Sequence, residues 1–179
     1  TTENSAPAIA DLLKKIDATA RAISHQVEFT RTYQDLGIHT PEWLRLDDII
    51  ERISCKNVHY TPHCRKIEIY ADPMLDRVFQ NLFENAIRHG KRVTKISVHC
   101  EHGADGLVIV VEDDGIGIPS GEKEKIFEKG FGSNTGFGLF LIREILELTG
   151  IGIRETGDPC TGACFEIMVP EGKFRPISS

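Results

Sequence analysis

The sequence predicts an α+β fold: a two-layer α/β sandwich in which helices cover a mixed sheet, preceded by a long N-terminal helix. Segments with helical periodicity alternate with short β-branched runs, and the spacing of Phe165, Ile167 and Val169 is typical of a strand with one buried face. The chain has 179 residues, 40% of them hydrophobic. This suffices for one domain, which we place at residues 46–170, and a helical extension at residues 1–36.

An apolar seam predicts the N-terminal helix. Its members recur at spacings of four and three over nearly three heptads: Ile9, Leu13, Ile16, Ala20, Ile23 and Val27. A helix over residues 9–34 would be about 39 Å long, which is more than a small domain usually covers. We therefore expect the seam to pack against a partner helix.

Local patterns predict the elements of the domain in order. We expect a helix near 46–53, strands near Val58 and Ile67, a helix over 73–89, strands over 95–101 and 106–112, a helix over 139–149, and strands near 152–155 and 163–169. Asp72 suits the N-cap of the helix over 73–89, with Pro73 at its first position.

The helix over residues 73–89 carries polar residues that folding does not require. Its apolar face consists of Leu75, Val78, Phe79, Leu82 and Ala86. On a neighbouring face, Asn81 and Asn85 lie one turn apart and are followed by Arg88 and His89. Asn is a poor residue inside a helix, so this pair indicates a function. The amide oxygen of Asn85 is of the kind that magnesium prefers as a ligand.

A first glycine-rich segment, residues 113–119, follows a buried strand. Gly115 and Gly117 lack a Cβ atom, so the backbone can turn sharply and a flat ring can approach it closely. The Asp113 carboxylate can accept a hydrogen bond from a ring amino group, which suits adenine. Taken alone, such a segment is also compatible with an ordinary turn.

A second glycine-rich segment, residues 134–139, opens the helix over 139–149. Gly136 and Gly138 lead directly into an apolar helical pattern. A glycine loop that opens a helix exposes free N–H groups and the positive end of the helix dipole, which favours phosphate binding. The two segments and the asparagine helix together predict a pocket for a magnesium nucleotide.

In their order, these motifs resemble the ATP-binding catalytic domain of sensor histidine kinases, within the superfamily shared with gyrase, a heat-shock chaperone and mismatch-repair ATPases. Four boxes match: an asparagine box at 81–89, a first glycine box at 113–119, a phenylalanine box at 126–131 and a second glycine box at 135–139. The resemblance covers residues 46–170 and implies that the segment between Pro119 and Gly136 is a mobile lid.

The resemblance also implies roles for single residues. Asn85 would coordinate magnesium, Asp113 would bind the adenine amino group, Arg88 would approach the phosphates and His89 would lie near the base. The implied nucleotide-binding set comprises Asn81, Asn85, Arg88, His89, Asp113, Gly115, Gly117, Thr135, Gly136, Gly138 and Leu139. ATP and Mg²⁺ are the expected cofactors.

Three departures from the family pattern stand out. Asn134 occupies a position where the family has glycine, although Asn tolerates a left-handed backbone. Asp114 replaces a common amide, so we expect its charge beside Asp113 to weaken nucleotide binding or to favour a metal. Few residues separate Phe131 from Gly136, which predicts a short lid.

The residue at position 81 favours a kinase over a hydrolase. In the family that the chain resembles, members that hydrolyse ATP carry a glutamate at this position, which serves as the general base for water. This chain has Asn81 instead, and an amide cannot take up a proton. Glu84 lies about 300° round the helix from Asn81, so it does not replace that base by simple geometry. Glu84 is interpreted either as a surface carboxylate or as a residue that supports the Asn85 ligand.

We therefore expect an ATP-dependent protein-histidine kinase that passes the γ-phosphoryl group to a histidine on a dimerisation helix hairpin, and from there to a response regulator. Residues 1–36 resemble the second helix of that hairpin, which implies a homodimer. None of the seven histidines, His25 included, has the setting of the acceptor, so we expect the acceptor outside this chain. The alternatives are a hydrolytic ATPase clamp, an anti-sigma-type protein-serine kinase and a degenerate interaction module.

Composition narrows the function classes further. The net charge of −6 and the pI near 5.6 argue against nucleic-acid binding. No apolar run approaches 18 residues, so we expect a cytoplasmic fragment, which is compatible with a membrane anchor elsewhere in a longer parent protein.

The five cysteines are odd in number and form no regular framework, which is typical of thiols in a reducing compartment. We expect Cys160 and Cys164 to be free thiols beside a hairpin. As an alternative for a second cluster, Cys55, His59, His63 and Cys64 offer the side chains of a zinc site, although their spacing is unlike that of a zinc finger.

Overall fold

The computed structural model describes residues 5–53, 58–60, 64, 66–91, 93–132 and 136–177. Within these ranges the chain forms, in order, α1 (Ser5–Gln34), β1 (Glu42–Arg45), α2 (Leu46–Arg52), β2 (Val58–Tyr60), β3 (Ile67–Ala71), α3 (Leu75–His89), β4 (Ile96–Gly103), β5 (Gly106–Asp113), α4 (Gly138–Glu147), β6 (Gly152–Glu155), β7 (Cys164–Pro170) and β8 (Phe174–Pro176). A 3₁₀ turn over Lys125–Phe127 precedes α4.

A five-stranded mixed sheet is the centre of the domain. Its strand order is β2-β4-β5-β7-β6, with β2 parallel to β4 and all other neighbours antiparallel. The β5 residue Ile109 lies opposite Cys100 on one side and Ile167 on the other. The predicted α+β fold with a mixed sheet and an N-terminal helix is therefore confirmed.

A second sheet was not predicted. It has the antiparallel order β1-β3-β8, with Trp43 opposite Tyr70 and Ile69 opposite Phe174. β1 and β8 are only four and three residues long and carry charged side chains, so neither has an apolar pattern of its own. Both become strands because β3 lies between them and pairs with each.

The main core lies between the five-stranded sheet and the helices. Fully buried side chains come from α3 (Phe79, Leu82, Phe83), from α4 (Ile142, Ile145) and from the sheet (Ile109, Ile167). Burial of each such side chain contributes about 1.5 to 3 kcal/mol, and truncation of a buried Phe to Ala costs about 3 to 5 kcal/mol. This packing fixes α3 and α4 side by side on the sheet.

The start of α3 differs from the prediction by two residues. The helix begins at Leu75, because Pro73 and Met74 form a turn before it. Asp72 closes that turn: the Met74 N–H donates to Asp72 Oδ1 at 2.9 Å and the Leu75 N–H donates to the Asp72 carbonyl at 2.9 Å. Asp72 thus stabilises the entry to α3, although it is not the residue directly preceding the helix.

The apolar seam of α1 is exposed along the helix. The seam side chains of Ile9, Leu13, Ile16, Ile23 and Val27 are 55% to 63% exposed. Contact with the domain begins only near the C-terminal end of α1, where the ring of Phe29 stacks on that of Phe137 at 4.1 Å between centroids. None of the helices in the described ranges has the length and hydropathy that a bilayer crossing requires.

The prediction that the cysteines are free thiols is wrong for one pair. Cys64 and Cys100 form a disulfide with their Cα atoms 5.1 Å apart, although 36 positions separate them in sequence. The fold brings Cys64 next to β4, and no local pattern reveals that proximity. Cys160 and Cys164 are free, as predicted.

The disulfide also bears on the zinc alternative. With its sulfur bonded to Cys100, Cys64 is not a thiolate ligand. Cys55, His63 and the side chain of His59 lie outside the described residues. The described part of the chain holds no group of three or more His, Cys, Asp or Glu side chains placed to bind a metal ion.

Candidate functional site

A cleft of about 750 Å³ lies between α3, α4 and the loop that follows β5. This volume is within the range of small-molecule sites, about 300 to 1,000 Å³. Most of the predicted site residues line it: Asn81, Asn85, Arg88, His89, Asp113, Gly117, Gly136, Gly138 and Leu139. Gly115 is not among the residues that line the cleft, and Thr135 and Asn134 lie outside the described residues.

One end of the cleft presents an oriented carboxylate. Asp113 Oδ1 accepts hydrogen bonds from the Gly115 N–H at 2.8 Å and the Ala163 N–H at 3.3 Å. The Asp113 N–H donates in turn to the Ala163 carbonyl at 3.0 Å. Asp113 Oδ2 makes no hydrogen bond to any residue that the structure describes, so it is available to accept one from a ligand amino group.

Gly115 fixes this end of the cleft against the end of α3. A Cβ atom on Gly115 would lie 2.6 Å from Gly90 Cα and 2.7 Å from Asp113 Oδ1, distances that no real side chain tolerates. Gly90 directly follows α3. The loop that orients Asp113 is therefore packed on the C-terminal end of α3, and only glycine permits this approach.

The side chain of Asp114 lies beside the residues that precede β4. Asp114 does not line the cleft. Its Oδ1 accepts from the N–H groups of Thr94 at 2.8 Å and Lys95 at 3.0 Å, and its Oδ2 accepts from the Thr94 hydroxyl. These hydrogen bonds, that of the Thr94 hydroxyl first, lower the pKa of Asp114 to about 2. The carboxylate anchors the loop before β4 rather than adding charge beside Asp113 in the cleft.

The other end of the cleft is formed by the start of α4. Phe137 at the N-cap gives no side-chain cap, so the first N–H groups of α4 lack a capping side chain. Gly138 lies against Asn81, since a Cβ atom there would be 3.0 Å from Asn81 Oδ1. The positive end of the α4 dipole is thus at the level of Asn81, a suitable place for phosphate.

The C-terminal end of the predicted lid packs on the phenylalanine box at the cleft. The Gly130 N–H donates to the Gly136 carbonyl at 3.1 Å. Gly136 has a φ of +62°, and a Cβ atom there would lie 2.6 Å from the Phe131 carbonyl oxygen. The phenylalanine box and the second glycine box are therefore in direct contact, which is consistent with a short connection between them.

The α3 wall of the cleft carries both predicted amides. Asn81 Nδ2 donates to the Arg77 carbonyl at 2.9 Å, which holds its side chain along the helix. Asn85 makes no side-chain hydrogen bond within the described ranges, so its oxygen is available to a hard cation such as Mg²⁺. At the end of the helix, desolvation and the charge of Arg88 lower the pKa of His89, which favours the neutral imidazole.

An ion pair that the sequence did not reveal holds the start of the lid. Lys123 Nζ lies 3.0 Å from Oε2 of Glu155, whose side chain is fully buried. Glu155 Oε1 accepts from the N–H groups of Gly157 at 3.0 Å and Cys164 at 3.2 Å, and Lys123 donates to the Gly157 carbonyl. Because 32 positions separate the two charges, no local pattern indicated the pair.

The end of α1 also contributes to the cleft. Glu28, Phe29 and Thr32 line it, and Tyr33 stacks on Phe29 at 5.6 Å between centroids. These residues lie off the apolar seam, so the seam pattern did not identify them. The aromatic pair Phe29 and Tyr33, spaced i and i+4 off the seam, was the available signal.

The sequence is similar to a family of ATPases and to sensor histidine kinases. The family model described as "Histidine kinase-, DNA gyrase B-, and HSP90-like ATPase" matches residues 71–173. The sensor histidine kinase ZraS of Salmonella typhimurium is 32% identical over 175 residues, covering 89% of this chain and 37% of that protein. The alginate biosynthesis sensor protein KinB of Pseudomonas aeruginosa is 36% identical over 104 residues, covering 54% of this chain and 17% of that protein. The chain thus spans well under half of these relatives.

Solved structures share the fold. The ATP-binding domain of PrrB from Mycobacterium tuberculosis has a TM-score of 0.60 at 24% identity, covering 74% of this chain and 98% of that one. Full-length ShkA in complex with AMPPNP has a TM-score of 0.69 at 16% identity, covering 99% of this chain and 40% of that one.

Proposed function

Because the chain belongs to the family of histidine kinase-, DNA gyrase B- and HSP90-like ATPases, we propose that its cleft binds magnesium ATP and delivers the γ-phosphoryl group to a histidine. One observation carries the proposal. A single cleft has an oriented carboxylate acceptor at one end and an uncapped helix N-terminus beside two amides at the other. This arrangement separates recognition of a base from recognition of a polyphosphate.

The base end suits adenine because of the hydrogen-bonding state of Asp113. With Oδ1 occupied by two N–H groups, Oδ2 is left to accept from an exocyclic amino group. The wall beside it includes Ile118, Ala163 and Phe165, which offer apolar contact to a flat ring. We place His89 near the base as well.

The phosphate end supplies positive potential and oxygen ligands. The N–H groups at the start of α4 and the Arg88 guanidinium would stabilise charge on the phosphates. Asn85, whose amide has no partner among the described residues, fits a magnesium ligand. When bound, magnesium would neutralise phosphate charge during transfer.

In the proposed reaction, the lone pair of an acceptor imidazole nitrogen forms a bond to the γ-phosphorus. The bond from that phosphorus to the bridging oxygen breaks, ADP leaves with the electron pair, and the imidazole loses its N–H proton to water. Catalysis by this chain consists of positioning and charge stabilisation. We propose that the acceptor histidine lies on the dimerisation hairpin, outside this chain.

The side chain at position 81 favours a kinase over a hydrolytic clamp, because asparagine cannot act as a general base. Its amide group donates to the Arg77 carbonyl and cannot remove a proton from water. Glu84, the neighbouring carboxylate on α3, accepts from Gln80 Nε2 at 2.9 Å at the rim of the cleft. The amide at position 81 therefore does not activate water.

The exposed seam supports the proposed partners. An apolar stripe that is more than half exposed along α1 indicates a helical partner, which we propose to be the hairpin helix and its dimer mate. A response regulator receiver domain would take the phosphoryl group from the histidine. The helical partner is inferred from the exposed seam, and the receiver domain is inferred from the family.

The test uses the chain extended through the preceding hairpin helix, incubated with Mg²⁺ and γ-labelled ATP. We expect label on the protein that is lost in acid and stable in base, as for phosphohistidine. Asn85→Ala should abolish this label while adenosine affinity stays within about twofold, because Asn85 touches only the phosphate end. Gln80→Ala, the matched amide on the same helix, should retain the label. Release of free phosphate without protein label would favour the hydrolytic clamp instead.

A further inference from the structure

Arg77 on α3 lines the cleft, but its side chain is not among the groups proposed to contact the base, the phosphates or magnesium. It lies one turn before Asn81 and two turns before Asn85, and both of these also line the cleft. Residues spaced by four lie along one side of a helix. The side chain of Arg77 therefore continues the row of polar groups toward the N-terminal end of α3.

The orientation of a nucleotide in the cleft follows from two contacts. The loop that presents Asp113 packs on Gly90, at the C-terminal end of α3. The N-terminus of α4 packs on Asn81, nearer the other end of the helix. A base at Asp113 thus directs the phosphates toward Asn81, and Arg77 is about 6 Å further along the helix axis.

The ion pair that Arg77 makes in this structure is weak enough for another anion to replace its partner. Its Nη1 lies 3.5 Å from Oε1 of Glu28 on α1, and the two side chains are 44% and 64% exposed. Exposed ion pairs of this kind contribute about 0 to 1 kcal/mol. A phosphate group at the same place offers the guanidinium a stronger partner, because two parallel N–H groups can bind two of its oxygens.

We propose that Arg77 binds the terminal phosphate of the nucleotide, and that Glu28 of α1 competes with this phosphate for its guanidinium. The proposal rests on the proposed function, since it assumes ATP in the cleft. Glu28 is held in place by the adjacent Phe29, whose ring stacks on Phe137 in the second glycine box. The position of α1 on the domain then determines whether Arg77 is available to the substrate.

The test measures ATP and ADP affinity by calorimetry in the presence of Mg²⁺, which requires no phosphoryl transfer. Arg77→Gln should weaken ATP binding by about tenfold or more and leave ADP binding within about twofold, because only ATP has the terminal phosphate. Glu28→Gln should strengthen ATP binding by up to about fivefold, since the competing charge is removed. Arg77→Lys should fall between wild type and Arg77→Gln, as a charge without the planar fork.

Arg154→Gln is the matched control. Arg154 is an exposed arginine paired with Glu166 on the sheet, away from the cleft, and its loss should leave both affinities unchanged. Equal loss of ATP and ADP affinity in Arg77→Gln, or no loss of either, would overturn the proposal, as would weaker ATP binding in Glu28→Gln. Failure of the wild-type chain to bind either nucleotide would refute the proposed function itself, so the two failures are distinguishable.

Discussion

Replacement of Asp113 by Asn should weaken adenine nucleotide binding without disturbing the fold. The two N–H groups of Gly115 and Ala163 require an acceptor at Oδ1, so they fix the carboxamide of the variant with its oxygen toward them. Its NH₂ group then takes the place of Oδ2 and faces the adenine amino group, donor against donor. Loss of a charge-assisted hydrogen bond costs about 1.5 to 3 kcal/mol, which is about tenfold to 150-fold in the dissociation constant.

Calorimetric titration with ADP and Mg²⁺ measures this loss, and circular dichroism checks the fold. Asp114→Asn is the matched control, because it makes the same chemical change at the next residue, outside the cleft. Its affinity should stay within about twofold of wild type. A folded Asp113→Asn variant with unchanged affinity would refute the reasoning, because adenine would then have to bind elsewhere.

Three further predictions concern stability and association. Gly115→Ala should destabilise the domain by about 2 to 4 kcal/mol in urea unfolding, because it overpacks the contact with Gly90 and disturbs the hydrogen bond from the Gly115 N–H to Asp113. Gly121→Ala, which has open space around it, should have little effect, and equal stabilities of the two variants would contradict the close packing. Because its apolar seam is exposed, the chain should self-associate through α1. The double variant Leu13→Glu, Ile23→Glu should be a monomer in light scattering and should still bind ATP, whereas a wild-type chain that is monomeric at high concentration would contradict the prediction. Because the pKa of Asp114 in the folded protein is below its ordinary value of 3.8, its contribution to stability should be complete above about pH 4 and be lost as the pH falls toward about 2. The measurement is the difference in unfolding free energy between wild type and Asp114→Asn across this pH range. A difference that stays constant would contradict the assignment.

The sequence alone determined the features that depend on near neighbours. The 3.6-residue spacing along α3 separated its buried face from the face with Asn81 and Asn85, and the structure places both amides in the cleft. The apolar run of β5 identified Asp113 as the residue at its end. The period of a helix or a strand can be read from consecutive residues, so these features could be predicted without a tertiary fold.

The tertiary structure decided the contacts between residues that are distant in sequence. Nothing near Asp114 indicated that its carboxylate would turn to Thr94 rather than to the nucleotide, and nothing near Cys64 indicated Cys100. The pair of Lys123 and Glu155 likewise exists only because the fold brings the lid to the end of β6. The direction of a side chain depends on partners that the chain supplies from elsewhere, and a linear pattern does not contain that information.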